Sequence, residues 1–389
     1  MARLPARGLL VLLTLLPACS VPAQQPVAPK PAPTAPDPVV ASAKGAVPPA
    51  PPPGRPAPSR PALTILWPTT RLRNIEYVSL RDVAKNFDLK LVWSKADIAM
   101  TLSDARGGRF IFEGNQKDFY FDNLRVFLGV PAIFHKDSLW VSQLDVIKII
   151  APLFRPADHL AFLPAAAPRL IVLDPGHGGI DPGTQNLRVG VNEKTFTLDV
   201  ALRLRKILEL GGWRVLLIRD KDLELSKDKK TDLLMRNEFA NRNKADLFLS
   251  IHFNAAPEAI SGVETYSLAP QFMHSAGDDQ GDDMTKVAFP GNKLDYANLL
   301  FGGQLHRAMI TGLKAPDRGY KHARQAVLRL LDCPGALVEC AYLSNDAEAR
   351  RVATPEYRQQ LAEALATGVQ NYAAVLAALQ PAPAAPAAK

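Results

Sequence analysis

Residues 170–210 read LIVLDPGHGGIDPGTQNLRVGVNEKTFTLDVALRLRKILEL. Residues 170–173 form a short apolar run with the bulk of a buried strand. The run breaks into Asp174-Pro175-Gly176-His177-Gly178-Gly179, whose glycines let the backbone turn sharply and leave His177 unobstructed. Apolar residues at 196, 200, 204, 207 and 208 then trace a helical stripe, closed by Gly211-Gly212. The alternation continues downstream. Residues 213–218, 247–251, 263–268 and 336–338 read as strands, and 233–243 and 355–379 as helices. Strand–helix alternation over about 200 residues predicts an α/β fold, with a mixed, mostly parallel sheet flanked by helices.

The rest of the chain sets bounds on that domain. It has 389 residues, 47% hydrophobic and 22% charged, enough apolar material for a real core. No apolar run of about 18 residues occurs, which excludes a multi-span membrane protein. Three cysteines cannot build a multi-bridge disulfide scaffold. Cys333 and Cys340 are about 23 Å apart if the intervening chain is extended, so two free, buried thiols are predicted. The net charge of +8 invites a nucleic-acid reading. Residues 168–379, however, carry 26 Lys+Arg against 26 Asp+Glu, so the excess lies elsewhere. A basic stripe for phosphate neutralisation is not indicated, and no nucleic-acid partner is expected.

Residues 1–19 have the pattern of an export signal: Arg3 and Arg7, then a short apolar core at 9–16. The core ends in Leu16-Pro17-Ala18-Cys19, which resembles a bacterial lipobox and implies membrane attachment through a lipidated Cys19, although Pro17 departs from that pattern. The alternative is a plain cleaved secretory peptide. Residues 20–62 hold 15 prolines and 10 alanines and form a disordered, extended linker. The Pro/Ala-rich residues 380–389 read as a disordered tail.

Residues 63–155 form a small α+β accessory domain with an internal echo. Tyr77-Val78-Ser79-Leu80-Arg81-Asp82-Val83 recurs as Trp140-Val141-Ser142-Gln143-Leu144-Asp145-Val146. In each copy an extended apolar stretch meets a serine suited to cap the helix that follows. Residues 91–93 and 109–112 read as strands between the copies. This two-copy pattern resembles the copper amine oxidase N-terminal-like domain. No copper ligand cluster is present, and the domain is read either as a spacer or as a wall-binding module.

Three potential metal ligands sit at element ends in the domain spanning 168–379. His177 follows the first strand, Glu193 opens the next helix after Asn192, and His252 closes the strand in Ser250-Ile251-His252-Phe253-Asn254-Ala255. Two imidazoles and a carboxylate match a catalytic zinc set that keeps one open position. Singly, each has a plainer reading: a turn histidine, a carboxylate favouring a helix N-terminus, a buried hydrogen-bonded histidine. Glu339, in Leu337-Val338-Glu339-Cys340-Ala341-Tyr342-Leu343-Ser344-Asn345, ends an apolar strand and needs a partner or a function. It is a candidate general base near a metal-activated water. The plainer reading is a salt bridge to Arg236, Arg318 or Lys321.

From about residue 169 to 379 the chain resembles the zinc-dependent N-acetylmuramoyl-L-alanine amidases of the amidase-3 family. The likeness rests on DPGHGGIDPG, Asn192-Glu193-Lys194, SIHFNA, GVETY at 262–266, DRG at 317–319 and VECAYLSN, in that order. It implies one Zn²⁺ held by His177, Glu193 and His252, with Glu339 catalytic. It also implies peptidoglycan as substrate, cleaved between N-acetylmuramic acid and L-alanine, in the bacterial envelope (periplasm). An activator protein is a possible partner by analogy, and the enzyme is expected to act as a monomer. Rival readings are a related envelope zinc peptidase and a non-catalytic peptidoglycan-binding protein on the same fold. Residues 269–293, with Asp278, Asp279, Asp282 and Asp283 and little apolar pattern, read as an inserted mobile loop, a candidate lid.

Overall fold

The computed structural model describes residues 67–379, apart from 96, 97, 106 and 279–282. The export signal, the lipobox Cys19, the Pro/Ala-rich linker, the C-terminal tail, Asp279 and Asp282 lie outside the described residues. Among the described residues no helix is long and apolar enough to cross a membrane.

The N-terminal part begins with β1 (Thr70–Leu72), β2 (Ile75–Ser79) and α1 (Leu80–Phe87). A meander follows: β3 (Lys90–Lys95), β4 (Ala99–Ser103), β5 (Arg109–Glu113), β6 (Asp118–Phe121) and β7 (Leu124–Phe127). Then come β8 (Ile133–His135), β9 (Ser138–Ser142), α2 (Gln143–Asp145), a π-type turn at Val146–Ile150 and α3 (Ala151–Phe154). Both copies of the sequence echo end as their serines predict. The Ser79 side chain accepts from the Arg81 amide, and Ser142 accepts from the Asp145 amide. The two echo strands, β2 and β9, pair antiparallel in a sheet ordered β1-β2-β9-β8.

The larger part runs β10 (Leu170–Pro175), β11 (Gln185–Asn186), β12 (Val191–Asn192), α4 (Glu193–Leu210), β13 (Arg214–Leu217), α5 (Lys229–Arg242), β14 (Leu247–Asn254) and β15 (Val263–Leu268). It continues with α6 (Asp295–Leu313), β16 (Asp317–Ala323), α7 (Ala326–Arg329), β17 (Gly335–Tyr342), α8 (Asp346–Ala353) and α9 (Pro355–Leu379). Strand β10 is buried at every residue, as a central parallel strand must be. Helices α4, α6 and α9 cover one face of the sheet through Leu204, Phe301, Leu305 and Leu365. On the other face Ala240 of α5 and Val327 of α7 pack with Phe248 and Leu337. Strand β15 runs antiparallel to β17, while the β13-β10-β14-β17 pairs are parallel, so the sheet is mixed and mostly parallel as expected.

One feature was not legible in the sequence. The meander and the sheet of the larger part are a single eleven-stranded sheet, ordered β13-β10-β14-β17-β15-β16-β7-β6-β5-β4-β3. At the seam β16 pairs parallel with β7, Tyr320 opposite Val126. Asp317 fastens this join, taking hydrogen bonds from the amides of Arg125 at 3.0 Å and Gly319 at 2.8 Å, with His306 Nε2 at 2.9 Å. Leu299, Tyr320 and Met273 belong to the apolar core of the N-terminal part.

The described residues among 269–293 are packed, unlike the mobile loop expected. Met273 is buried, the amide of Ala276 donates to the His322 carbonyl at 2.7 Å, and Arg324 reaches Ser275 Oγ at 2.9 Å. Short 3-10 turns follow at Asp283–Lys286 and Pro290–Leu294. The described residues of this segment contact the N-terminal part through Met273 and the larger part through Ser275, Ala276, Phe289 and Lys293, and line neither cavity at the candidate site. Cys333 and Cys340 are free and buried.

Candidate metal centre

The site forms where β10 and β14 end and α4 begins, at the carboxyl edge of the sheet. Asn192 caps α4 by accepting from the Thr195 amide, which fixes Glu193 as the first helical residue. His177 adopts a left-handed backbone (φ +62°) beside Gly178 and Gly179, a local strain that the glycine-rich turn accommodates. Two buried arginines hold this turn. Arg219 donates to the carbonyls of Pro175 and Gly176, at 3.0 and 2.9 Å. Arg236 donates to the His177 carbonyl at 3.1 Å while paired with Asp174 and Asp232 at 2.6 and 2.7 Å.

His177, Glu193 and His252 meet with their donor atoms all within 4.8 Å of one another. His177 Nε2 lies 3.0 Å from Glu193 Oε2, and His252 Nδ1 lies 2.9 Å from Glu193 Oε1. Asp181 Oδ2 sits 3.0 Å from His177 Nδ1, on the side of the ring away from the cluster. Burial works against the Glu193 charge, but hydrogen bonds from His177 and His252 outweigh it and hold the carboxyl well below its usual range. For His177, burial opposes the charged form, yet Glu193 and Asp181 together raise its pKa.

The packing around the three ligands leaves room only for glycine. A Cβ on Gly176 would lie 2.3 Å from the His252 ring, and one on Gly183 would lie 2.5 Å from Glu193 Oε2. Two imidazoles and a carboxylate at this separation, cradled by glycine backbone, fit a divalent ion with a tetrahedral preference.

Glu339 faces the same space. It pairs in register with His252 across β14 and β17, and both line a cavity of about 520 Å³ with His177, Glu193 and Asn254. Its Oε2 is buried without a hydrogen-bond partner. Burial, then the charges of Glu193 and Glu264, push its pKa well above the usual carboxylate range. Of the three salt-bridge partners considered for Glu339, Arg236 is taken by Asp174 and Asp232, Lys321 by Glu264 at 2.7 Å, and Arg318 hydrogen-bonds to Tyr342.

A second cavity of about 500 Å³ leads away from His177 past Ile180, Pro182, Lys229, Leu233 and Val327. Lys229 Nζ stands 3.3 Å from Asp181 Oδ2 at the junction of the two cavities.

Sequence reasoning missed two supporting groups. Asp181 lies inside DPGHGGIDPG, where nothing local separates it from the turn residues around it. Glu264, within GVETY, gathers Lys321, Asn254 at 3.1 Å, Tyr266 at 2.5 Å and the Tyr342 hydroxyl. An acid in the middle of the β15 pattern was the available signal for Glu264.

The sequence signature described as N-acetylmuramoyl-L-alanine amidase matches residues 171–371. That is more than half of the chain. The chain belongs to the N-acetylmuramoyl-L-alanine amidase family. The germination-specific amidase of Bacillus subtilis is 30% identical over 251 residues, covering 61% of this chain and 95% of its own length. The amidase AmiC of Neisseria meningitidis serogroup B is 32% identical over 226 residues, covering 52% of each chain, so this chain spans about half of that relative. Among solved structures, the amidase AmiC2 of Nostoc punctiforme is 30% identical, covering 52% of this chain and 96% of its own, with a TM-score of 0.42. The amidase match starts at the first strand of the catalytic sheet, β10, and includes His177, Glu193, His252 and Glu339.

Proposed function

We propose that this protein hydrolyses the amide joining the lactyl group of N-acetylmuramic acid to L-alanine in peptidoglycan. The observation that carries the reading is the unpartnered, buried oxygen of Glu339 beside the His177–Glu193–His252 cluster in one cavity. The donor set suits one zinc ion per catalytic domain. When bound, zinc supplies Lewis-acid polarisation of the amide carbonyl and acidifies a water. The chain's own residues do the rest. His177, Glu193 and His252 hold the ion, and Asp181 fixes the ring of His177 through Nδ1. Glu339 takes a proton at its carboxylate during attack on the amide carbon and returns it to the departing alanine nitrogen. The cavity running past Ile180 and Leu233 gives the substrate an apolar wall next to the reacting bond.

The envelope is the compartment where this substrate lies. We read residues 1–19 as an export signal with Cys19 as a lipid anchor, and residues 20–62 as the spacer that lets the enzyme stand off from its membrane. The domain limits 63–155 and 168–379 belong to the same reading.

Digestion of purified sacculi followed by mass spectrometry of the products tests the proposal. Intact stem peptides with a free N-terminal alanine support it. Cuts within the stem peptide favour an envelope peptidase. Binding to sacculi without any product, with and without added zinc, favours a non-catalytic wall-binding protein.

A further inference from the structure

Six residues line both cavities and so mark the passage between them: His177, Asp181, Lys229, His252, Gln325 and Leu337. Five of them already have partners. His177 and His252 belong to the metal cluster, Asp181 is tied to His177, and Lys229 is tied to Asp181. Leu337 packs with Phe248 and Val327. Gln325 is different. It is half-buried between β16 and α7, and its side chain does not cap that helix. Among the described residues its carboxamide has no hydrogen-bond partner.

The backbone that carries this free carboxamide is fixed. The Arg324 amide donates to Ser275 Oγ at 3.3 Å, and Arg329 Nε donates to the Arg324 carbonyl at 2.7 Å. The Gln325 carbonyl accepts from the Leu328 amide at 3.0 Å, and the Ala326 carbonyl accepts from Asn237 Nδ2 of α5 at 3.2 Å. A polar head left open on a rigid base is arranged for a partner that arrives from outside the fold.

The position of Gln325 selects that partner. Leu337 and Glu339 are two residues apart on β17, so they share a face at a spacing of about 7 Å. Gln325 borders the same space as Leu337, just beyond the reacting bond. Successive residues of an extended peptide advance by about 3.5 Å. A peptide leaving the metal centre along this wall therefore brings its next amide within reach of a side chain placed there. The cavity beyond is walled by Ile180, Pro182, Leu233 and Val327. Those side chains suit a peptide that begins with alanine, and they give no partners to the many hydroxyls of a sugar strand. A carboxamide both donates and accepts, as the backbone of such a peptide requires.

We infer that Gln325 is a specificity-determining residue that binds the stem-peptide amide following L-alanine, and so draws the peptide into the cavity past Ile180 and Leu233. The inference rests on the amidase reading.

The test gives the zinc-loaded full chain two substrates, muramoyl-L-alanine and a muramoyl tripeptide. Gln325→Met keeps the length of the side chain and removes both hydrogen bonds. The KM for the tripeptide substrate should rise about tenfold with kcat nearly constant. The preference for tripeptide over muramoyl-L-alanine, taken as kcat/KM, should fall by a similar factor. Free stem tripeptide, titrated by calorimetry, should bind Gln325→Met about tenfold more weakly than the parent. Zinc content and unfolding midpoint should match the parent, because no contact within the fold is lost. Unchanged preference with unchanged tripeptide affinity would overturn the assignment. An equal loss on both substrates would also overturn it, by placing Gln325 at the scissile bond or the sugar. A parent that releases no stem peptide counts against the amidase reading, and the calorimetric comparison then decides the role of Gln325 by itself.

Discussion

Glu264 and Glu339 are register partners on adjacent antiparallel strands, and only Glu264 is neutralised. Lys321, two tyrosines and Asn254 surround Glu264, while Glu339 keeps a buried oxygen without a partner. Two neighbouring carboxylates are thereby given different work. One is a fixed charge within the fold, and the other keeps an open oxygen in the cavity it shares with His177, Glu193 and His252.

The Glu264–Lys321 pair is nearly buried, with side chains 4% and 14% exposed. Removing one member leaves the other charge without compensation, at a cost of about 3–5 kcal/mol. Glu264→Ala should show this loss in urea unfolding. Lys321→Met in the same chain should recover part of it, and purely additive effects would show that the two groups are not coupled.

Glu339→Gln keeps the shape of the side chain and removes its base. Turnover on muropeptides should fall about 10²- to 10⁴-fold while bound zinc, measured by elemental analysis, stays at the parent level. His177→Ala should lose both metal and turnover. Parent-like turnover in Glu339→Gln would remove Glu339 from the mechanism.

Asp181 Oδ2 sits 3.0 Å from His177 Nδ1, on the side of the ring away from Glu193. Asp181→Asn should weaken metal binding about 10- to 100-fold, read by competition with a chromogenic chelator. Unchanged affinity would reduce Asp181 to a turn residue.

Chelation should abolish activity and lower the thermal midpoint, because metal that binds only the folded chain stabilises it by about 4 kcal/mol at a thousandfold excess over Kd. Zinc added back should restore both. A chelated protein with full activity would rule out a metal-dependent reaction.

Asp145 links the N-terminal echo to the loop before it, accepting from the Gly129 amide at 2.7 Å and the Ser142 hydroxyl at 2.6 Å. Burial, only partly offset by these bonds, pushes its pKa from 3.8 to about 6. A carboxyl raised in the folded state favours folding while protonated. Its contribution is complete below its unfolded pKa and is lost as pH rises through about 6. The difference amounts to about 3 kcal/mol. Asp145→Asn should therefore flatten the decline in unfolding free energy between pH 4 and pH 6, followed by urea titration at each pH.

Local signals fixed much of this protein in advance. The apolar run at Leu170–Pro175, the glycine turn at His177 and the Asn192 cap before Glu193 depend on neighbours a few residues away, so chain order alone reveals them. Ser79 and Ser142 cap their helices for the same reason. Distances between His177, Glu193 and His252 were another matter, since parallel strands bring residues together only after crossovers of many tens of residues. The partners of Glu339 were equally hidden. Arg236, Arg318 and Lys321 are all compatible with it in sequence, and only packing gave Arg236 and Lys321 to other acids. The join of β7 to β16 was settled last, because backbone hydrogen bonding at a sheet edge carries little side-chain signature. Tertiary structure alone joined five strands of a separately read α+β domain to the sheet that carries His177 and His252.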